Sequence, residues 1–244
     1  MKKSNVLRQL HIKPHIIPHA EGSCMIQCGK TTVICTATVE TTVPAFLKDK
    51  GKGWLTAEYG MLPRATQTRT QREASKGKQS GRTVEISRLI GRSLRAALDL
   101  TKINGLTVTI DCDVLIADGG TRCASITGGM VALALAIEKC KQKGIIQSNP
   151  IINWIAAVSV GIIDDKTVLD LCYEEDSKAV VDMNIIMTNR GEYVEIQGTA
   201  EHGTFTESQK NQLCDLAKQG IRKLIATQKS AVKEVKNEIS FSDE

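Results

Sequence analysis

A glycine pair between a predicted strand and a predicted helix is the first feature that indicates chemistry. The segment 113-DVLIADGGTRC-123 ends an alternating strand and opens a long helix at Thr121. Glycine lets a backbone approach a ligand closely, and the unpaired N–H groups of a first helical turn favour an anion. Thr121 adds a hydroxyl and Arg122 a planar cation, so Gly120, Thr121 and Arg122 form a candidate phosphate site. The alternative is a tight turn in which Thr121 only caps the helix.

A second candidate phosphate ligand, Arg82, lies at the start of another predicted helix, in 80-SGR-82. Its guanidinium would project near the positive end of the helix dipole, which is unfavourable unless an anion lies between them. Two arginine-bearing helix N-termini, at Arg82 and Arg122, could converge on one phosphate. Neither segment matches the P-loop or the dinucleotide-binding glycine pattern.

The third candidate is an acidic segment, 170-DLCYEEDSKAVVDMN-184. Clustered carboxylates beside a phosphate site can hold a hard divalent cation or supply a general acid. A solvated turn explains Glu174 and Glu175 equally well. Asp182 is harder to explain in that way, because it lies in an otherwise apolar run where an unpaired carboxylate is costly.

Positive charge is concentrated in one part of the chain. Residues 64–95 contain nine basic and two acidic side chains, whereas the rest of the chain has a slight acidic excess. Because most of these cations are arginines, which match phosphate oxygens well, the pattern favours a phosphate-bearing partner over a solvated surface helix. Arg88, Arg92 and Arg95 fit the second interpretation better, and we leave them out of the site.

Composition excludes several classes of protein. No window approaches 18 consecutive apolar residues, and the basic start MKKSNVLRQLH has no apolar segment behind it, so we expect neither a transmembrane helix nor a signal peptide. The eight cysteines contain no C-x-x-C pair and lie mostly in apolar runs. Buried thiols in a cytoplasmic protein are therefore expected rather than disulfides or a zinc site.

The order of predicted elements indicates an α+β fold with mixed sheets. Strands are expected at 23–28, 31–39, 53–62, 106–114, 152–162, 167–173, 179–188 and 192–199, and helices at 83–100, 121–143 and 206–228. Residues 64–80 read as a polar loop, and the charged tail at about 229–244 is expected to fray. No linker interrupts the pattern, so a single domain spanning 1–244 is predicted.

Several segments resemble the bacterial ribonuclease PH family, in register from about Ala20 to Leu224. The resemblance is carried by 53-GWLTAEYGMLPRAT-66, 77-GKQSGRTVEISRLIGRSLRA-96, 111-DCDVLIADGGTRCASITG-128, 169-LDLCYEEDSKAVVDMN-184 and 194-VEIQGTAE-201. It implies a fold similar to ribosomal protein S5 domain 2, with βαβ units. It also implies a ring-shaped homohexamer built as a trimer of dimers.

The family's activity is phosphorolytic trimming of RNA 3′ ends, chiefly of tRNA precursors. Inorganic phosphate, as co-substrate, attacks the terminal phosphodiester and releases a nucleoside diphosphate. The resemblance gives roles to three sets of residues: phosphate ligands (Arg82, Gly120, Thr121, Arg122), carboxylates of catalysis and of a divalent metal, expected to be Mg²⁺ (Asp176, Asp182), and RNA contacts (Arg64, Arg69, Arg72). The N-terminus, MKKSNVLRQLHIKP, departs from the family's pattern, and we expect it not to touch the site.

Two other functions are alternatives to phosphorolysis. A non-catalytic RNA-binding subunit of a ring is the main alternative, but such subunits typically lose the phosphate arginine or the aspartates, which are all present here. A small-molecule kinase of similar architecture would need a glycine-rich nucleotide loop, which is missing. Since aromatic residues make up only 3% of the chain, RNA should be held through its backbone, with marked salt sensitivity.

Overall fold

The first half of the chain forms a five-stranded mixed sheet. The computed structural model describes residues 3–201 and 203–242. The strands are β1 (Leu10–Pro14), β2 (Gly22–Cys28), β3 (Thr31–Glu40), β4 (Trp54–Met61) and β5 (Thr107–Ile116), in the order β1-β2-β3-β5-β4. Only the β4–β5 pair is parallel within this sheet. Two helices, α1 (Glu73–Lys76) and α2 (Gly81–Arg95), lie between β4 and β5 in the chain, so the expected βαβ unit is confirmed.

The second half forms a four-stranded antiparallel sheet. Its strands are β6 (Ile155–Ile163), β7 (Lys166–Leu169), β8 (Val181–Thr188) and β9 (Tyr193–Ala200), in the order β7-β6-β8-β9. A short helix, α4 (Tyr173–Asp176), joins β7 to β8. Two long helices complete the fold, α3 (Thr121–Gln142) between the sheets and α5 (Glu207–Ser242) at the C-terminus.

Helix α3 is enclosed on all sides. It packs against β2, β3 and β5 of the first sheet and against β6 of the second, and every residue from Cys123 to Ile137 is buried. Close packing depends on glycine at Gly22, where a Cβ atom would lie 2.1 Å from the carbonyl oxygen of Ala132. By length and hydropathy α3 could cross a membrane, but 89% of its apolar window is buried inside the protein. It therefore has the environment of a core helix.

Helix α5 is longer than the sequence analysis predicted. It continues past residue 228, and Ala231, Val232 and Val235 are buried. The expected fraying from Lys229 is therefore wrong for this part of the chain. Apolar residues at a spacing of three and four form a stripe that faces the core, although the segment as a whole is strongly charged. The last two residues, 243–244, lie outside the described part.

The cysteines behave as expected from their apolar surroundings. All eight are free thiols, and seven of them are buried. Three of the buried thiols, Cys24, Cys35 and Cys112, lie on the face of the first sheet that α3 covers, where each Sγ atom faces a carbonyl oxygen of that helix. Their role is to fill the core.

Candidate active site

The glycine pair shapes the N-terminus of α3. Gly119 and Gly120 have φ values of 75° and 67°, in the left-handed region that favours glycine. A Cβ atom at Gly119 would lie 2.6 Å from the carbonyl oxygen of Leu171, so the junction packs directly on the segment that leads to α4. Gly120 is the N-cap residue and supplies no side chain to the first helical turn. The alternative in which Thr121 caps the helix is therefore excluded.

Thr121 is instead oriented by a buried tyrosine. The hydroxyl oxygens of Tyr59, on β4, and Thr121 are 2.8 Å apart. Burial raises the pKa of Tyr59, so the phenol stays protonated and can donate to Thr121, which leaves the threonine proton free for another acceptor. Sequence reasoning missed Tyr59. The available signal was its place in the alternation of β4, which buries a hydroxyl that must find a partner.

Arg122 is held by polar side chains from two other elements. Its Nη1 donates to Oε1 of Gln197 on β9 at 2.9 Å and lies 3.4 Å from Oε1 of Glu85 on α2. Gln197 in turn donates to Glu85 at 3.2 Å. These contacts fix the direction of the guanidinium and leave other N–H groups available. Neither Glu85 nor Gln197 was among the predicted site residues.

Arg82 faces the same space from the start of α2. It is exposed, and its side chain makes no hydrogen bond or ion pair within residues 3–201 and 203–242. Its charge, like that of Arg122, lowers the pKa values of Tyr59, Asp176 and Asp182. Coulomb interactions of this kind require proximity. The structure thus brings the two predicted arginines and the two predicted aspartates into one cluster.

The two aspartates lie on α4 and β8, which follow one another in the chain. Asp176 ends α4, and Asp182 lies on β8 opposite Thr199 of β9. Burial and, to a smaller extent, the negative charge of Asp176 raise the pKa of Asp182 to about 6, although the two arginines oppose the shift. Burial also raises the pKa of Asp176. Both carboxylates therefore lie in a partly desolvated site that favours a bound cation or proton.

One carboxylate oxygen of this pair has unused hydrogen-bonding capacity. Asp182 Oδ1 is buried and has no hydrogen-bond partner among the described residues. Mg²⁺ is commonly held by one or two carboxylates together with water and substrate phosphate oxygens, and Asp176 and Asp182 fit that requirement. No group of three or more metal-ligating side chains occurs in the described part of the chain, so a full protein cage is not formed there.

The loop arginines stay outside this cluster. Arg64, Arg69 and Arg72 are exposed, and none contacts the site residues in the described structure. The loop nevertheless begins beside the site, because the carbonyl oxygen of Ala65 accepts a hydrogen bond from the N–H of Ala117 at 2.8 Å. It can therefore present its charges next to the glycine junction.

Two helix arginines that the sequence analysis left out are engaged elsewhere. Arg92 forms an ion pair with Glu195, and the Arg95 guanidinium lies 4.5 Å from the centre of the Trp54 ring. Arg95 also donates to the carbonyl oxygen of Leu55 at 2.8 Å. Both guanidinium groups therefore already have partners within the described structure.

The same segments match known exoribonucleases. Residues 6–137 match the model for domain 1 of the 3′ exoribonuclease family, and residues 153–220 match the model for domain 2. The chain belongs to the 3′ exoribonuclease family. It is 57% identical over 230 residues to ribonuclease PH of Bacillus pumilus, covering 94% of this chain and 95% of that protein. It is 54% identical over 239 residues to ribonuclease PH of Bacillus cereus, covering 98% of each.

A solved structure shares the fold of this family member. A chain from the structure described as the Archaeoglobus fulgidus exosome with RNA bound to the active site superposes with a TM-score of 0.75. The match covers 91% of this chain and 89% of that chain at 22% sequence identity. At this identity the likeness concerns the fold alone, and it agrees with the expected α+β architecture similar to ribosomal protein S5 domain 2.

The N-terminus of this exoribonuclease-family chain does touch the site, contrary to the expectation from its sequence. Arg8 Nη2 lies 2.6 Å from Asp170 Oδ1, and Arg8 Nη1 donates to the carbonyl oxygen of Asp118 at 2.7 Å. The same guanidinium approaches the glycine junction so closely that a Cβ atom at Gly120 would lie 3.0 Å from Nη2. Arg8 therefore packs against the glycine junction and fixes its position relative to Asp170. Its partners are more than 100 residues away in sequence, so no local pattern could identify it.

This buried pair should matter for stability. The side chains of Arg8 and Asp170 are only 8% and 11% exposed. Arg8→Met removes the guanidinium that contacts the Asp170 carboxylate and the carbonyl oxygen of Asp118, and we expect a loss of about 3 kcal/mol in the free energy of unfolding. Arg92→Met, which breaks the more exposed pair with Glu195, should cost less than about 1 kcal/mol. Urea unfolding of both variants checks this, and equal losses would contradict it.

Proposed function

We propose that this protein is a phosphate-dependent 3′-to-5′ exoribonuclease that releases nucleoside 5′-diphosphates. The observation that carries the proposal is the meeting of Arg82 and Arg122 with Asp176 and Asp182 at the N-terminus of α3. Attack of phosphate on a phosphodiester brings two anions together, so catalysis requires fixed positive charge and accurate positioning. The likeness to proteins named ribonuclease PH supports the same reaction.

Inorganic phosphate would bind at the glycine junction. The N–H groups of the first turn of α3 point towards it, and Arg82 and Arg122 supply two cations. Thr121 can donate its hydroxyl proton to a phosphate oxygen when Tyr59 donates to the threonine oxygen, which is one of the two directions that their 2.8 Å contact allows. In this position one phosphate oxygen can form a bond to the terminal phosphorus while the bond to the 3′ oxygen of the preceding nucleotide breaks.

The aspartates would act on the other side of the reacting phosphorus. A Mg²⁺ ion held by Asp176 and Asp182 supplies positive charge to the scissile phosphate when bound. Asp182 must be ionised for that role, whereas its protonated form can give a proton to the departing 3′ oxygen. A pKa near 6 places the change between these forms close to neutral pH.

The substrate, the assembly and the location belong to the same proposal. We assign the exposed Arg64, Arg69 and Arg72 to RNA phosphates, and the 3′ ends of tRNA precursors and other structured RNA to the substrate. A homohexameric ring and a cytoplasmic location follow from the resemblance to ribonuclease PH. Treating residues 1–244 as one domain is supported by α3, which packs on both sheets.

End products separate this function from the alternative of a non-catalytic RNA-binding subunit. With phosphate present, RNA should shorten from its 3′ end and nucleoside diphosphates should accumulate. Without phosphate it should stay intact. A binding subunit would shift RNA on a gel and shorten it under neither condition.

The phosphate ligands can be tested by substitution. Arg82→Ala or Arg122→Ala should raise the phosphate concentration for half-maximal rate at least tenfold, because each loses a charge-assisted contact worth about 1.4 kcal/mol or more. RNA binding measured without phosphate should change much less. Arg88→Ala, which removes an exposed charge from α2, is the matched control. Unaltered phosphate dependence in both test variants would contradict the assignment of Arg82 and Arg122 as phosphate ligands.

Asp182 gives a prediction that joins activity and stability. Asp182→Asn should abolish phosphorolysis, since the amide matches the shape of the carboxylate but not its charge. The raised folded pKa means that the fold binds a proton between about pH 4 and 6 that the unfolded chain has lost, so stability falls as pH rises through that window. Above pH 6 the cost of burying the ionised Asp182 carboxylate no longer changes with pH. At pH 8 the free energy of unfolding of Asp182→Asn should therefore exceed that of the wild type by a value on the order of 1 kcal/mol.

Two measurements test the role of Asp182. Wild-type activity should fall at acid pH, where protonation of Asp182 competes with the cation, and urea unfolding at pH 8 without added metal should show the gain in stability for the variant. Near-normal activity of Asp182→Asn at saturating magnesium would place the metal or acid role elsewhere.

A measurement of RNA binding tests the role of the loop arginines. Replacing Arg64, Arg69 and Arg72 together by alanine should weaken RNA binding and flatten its salt dependence by up to roughly one unit of slope per lost contact. Phosphate dependence should hardly change, because Arg82 and Arg122 remain. Light scattering reveals any effect on assembly, and an intact oligomer with an unchanged salt slope would show that the loop does not touch RNA.

A further inference from the structure

A basic cleft lies between the β8–β9 turn and α5, away from the phosphate site. Its volume is about 300 Å³. The apolar residues Ile221 and Ile225 line part of it. Four cationic side chains line the rest: Arg190, Lys218, Arg222 and Lys229. No carboxylate lines this α5 cleft within the described part of the chain.

The cations of the α5 cleft are positioned without being neutralised. Arg190 Nη2 donates to the carbonyl oxygen of Ile152 at 3.1 Å, and Lys229 Nζ lies 5.9 Å from the centre of the Trp154 ring. The end of the half-buried Lys218 side chain packs beside Gly191. Among residues 3–201 and 203–242, none of the four forms an ion pair with a carboxylate.

This arrangement is unfavourable without an anion. Lys218 and Arg222 are four positions apart on α5, where like charges destabilise a helix. A solvated surface accounts for exposed cations such as Arg222, but less well for the half-buried Lys218, because no described carboxylate lines the cleft and the neighbouring Glu192 carboxylate accepts from the Thr188 hydroxyl at 3.3 Å. A bound polyanion would relieve the repulsion.

The dimensions favour several phosphates in a row. Lys218 and Lys229 are eleven positions apart on one helix, or about 16 Å along its axis. One phosphate ion cannot span that length, whereas the backbone of a nucleic-acid strand can. The cleft also lies at the far end of β8 from Asp182, since its lining residue Thr188 is six positions or about 20 Å away along the strand.

We propose that the α5 cleft binds the phosphate backbone of the substrate RNA at a point remote from the 3′ end that reacts. The proposal rests on the exoribonuclease function given above. An RNA that passes over the β9 edge of the second sheet can occupy the active site and the α5 cleft together. The cleft would then favour long or structured RNA over short oligonucleotides, because only a long chain reaches both sites.

A charge-matched pair of variants tests the cleft. The cleft variant carries Lys218→Gln, Arg222→Gln and Lys229→Gln, and the control variant carries Lys210→Gln, Lys223→Gln and Lys233→Gln, which removes the same charge from α5 outside the cleft. For a structured RNA with a single-stranded 3′ tail, the cleft variant should lose at least roughly tenfold in affinity. Its plot of log affinity against log salt should flatten by about two units, and the control variant should change by less than half as much.

A trinucleotide distinguishes the cleft from the active site. It is much shorter than the distance between the two sites, so the cleft variant, the control variant and the wild type should all degrade it at similar rates with phosphate. Slower degradation by the cleft variant alone would mean that these residues act through the active site, and would overturn the proposal. Degradation of the trinucleotide by the wild type tests the exoribonuclease function separately, whatever the cleft does.

Three further results would overturn the proposal. Equal loss of RNA affinity in both variants would show an effect of net charge alone. A changed oligomeric state of the cleft variant in light scattering would identify the cleft as a contact between copies of the chain. Binding of ADP that depends on the cleft, with unchanged affinity for RNA, would assign the cleft to free nucleotides.

Discussion

The burial of α3 between two sheets is the interaction on which the rest of the structure depends. Fifteen consecutive residues, Cys123–Ile137, are buried, so packing on several sides fixes the position of the helix. Thr127 connects it to the second sheet, since its hydroxyl accepts from the N–H of Ala157 at 3.2 Å. Gln228 of α5 donates to the carbonyl oxygens of Thr127 and Ile155 at 2.8 and 2.9 Å. With α3 fixed, its N-terminus meets the beginning of β8.

The electrostatics of this site lower the stability of the folded protein. Two carboxylates lie close together in a partly desolvated space, and the arginines offset only part of the cost, so the pKa of Asp182 stays near 6. The buried Asp182 Oδ1 has no hydrogen-bond partner among the described residues, which adds to this electrostatic cost. Functional sites commonly carry unfavourable electrostatics of this kind because the ligand relieves them on binding. A cation at the aspartates and an anion at the arginines would each find an oppositely charged partner.

Support for this site comes from distant parts of the chain. Arg8 packs against the glycine junction, Tyr59 orients Thr121, and Gln197 orients Arg122. Each of these side chains lies at least 60 residues from its partner. They position the groups that would contact phosphate, and this explains why an N-terminal segment with an unusual sequence can still be part of the active-site architecture.

The sequence by itself determined most of the elements and the chemical character of the site, although β1, α1 and α4 were not predicted. Alternation in β5 and the apolar run of α3 were clear because period and composition are local properties. The glycine junction, Arg82 and Asp182 stood out because each conflicts with its surroundings unless a ligand is present. The burial of Ala231, Val232 and Val235 was missed, since a narrow apolar stripe in a charged segment becomes visible only when the core it covers is known.

Only the tertiary structure decided which side chains meet. The convergence of α2, α3, α4 and β8 on one space depends on how two sheets pack around a shared helix, and no local period encodes that packing. For the same reason the ion pair between Arg8 and Asp170, which are 162 positions apart, could not be predicted. The folded geometry determines which charged residues that are distant in sequence become partners. The sequence shows only which types of residue need a partner when they are buried.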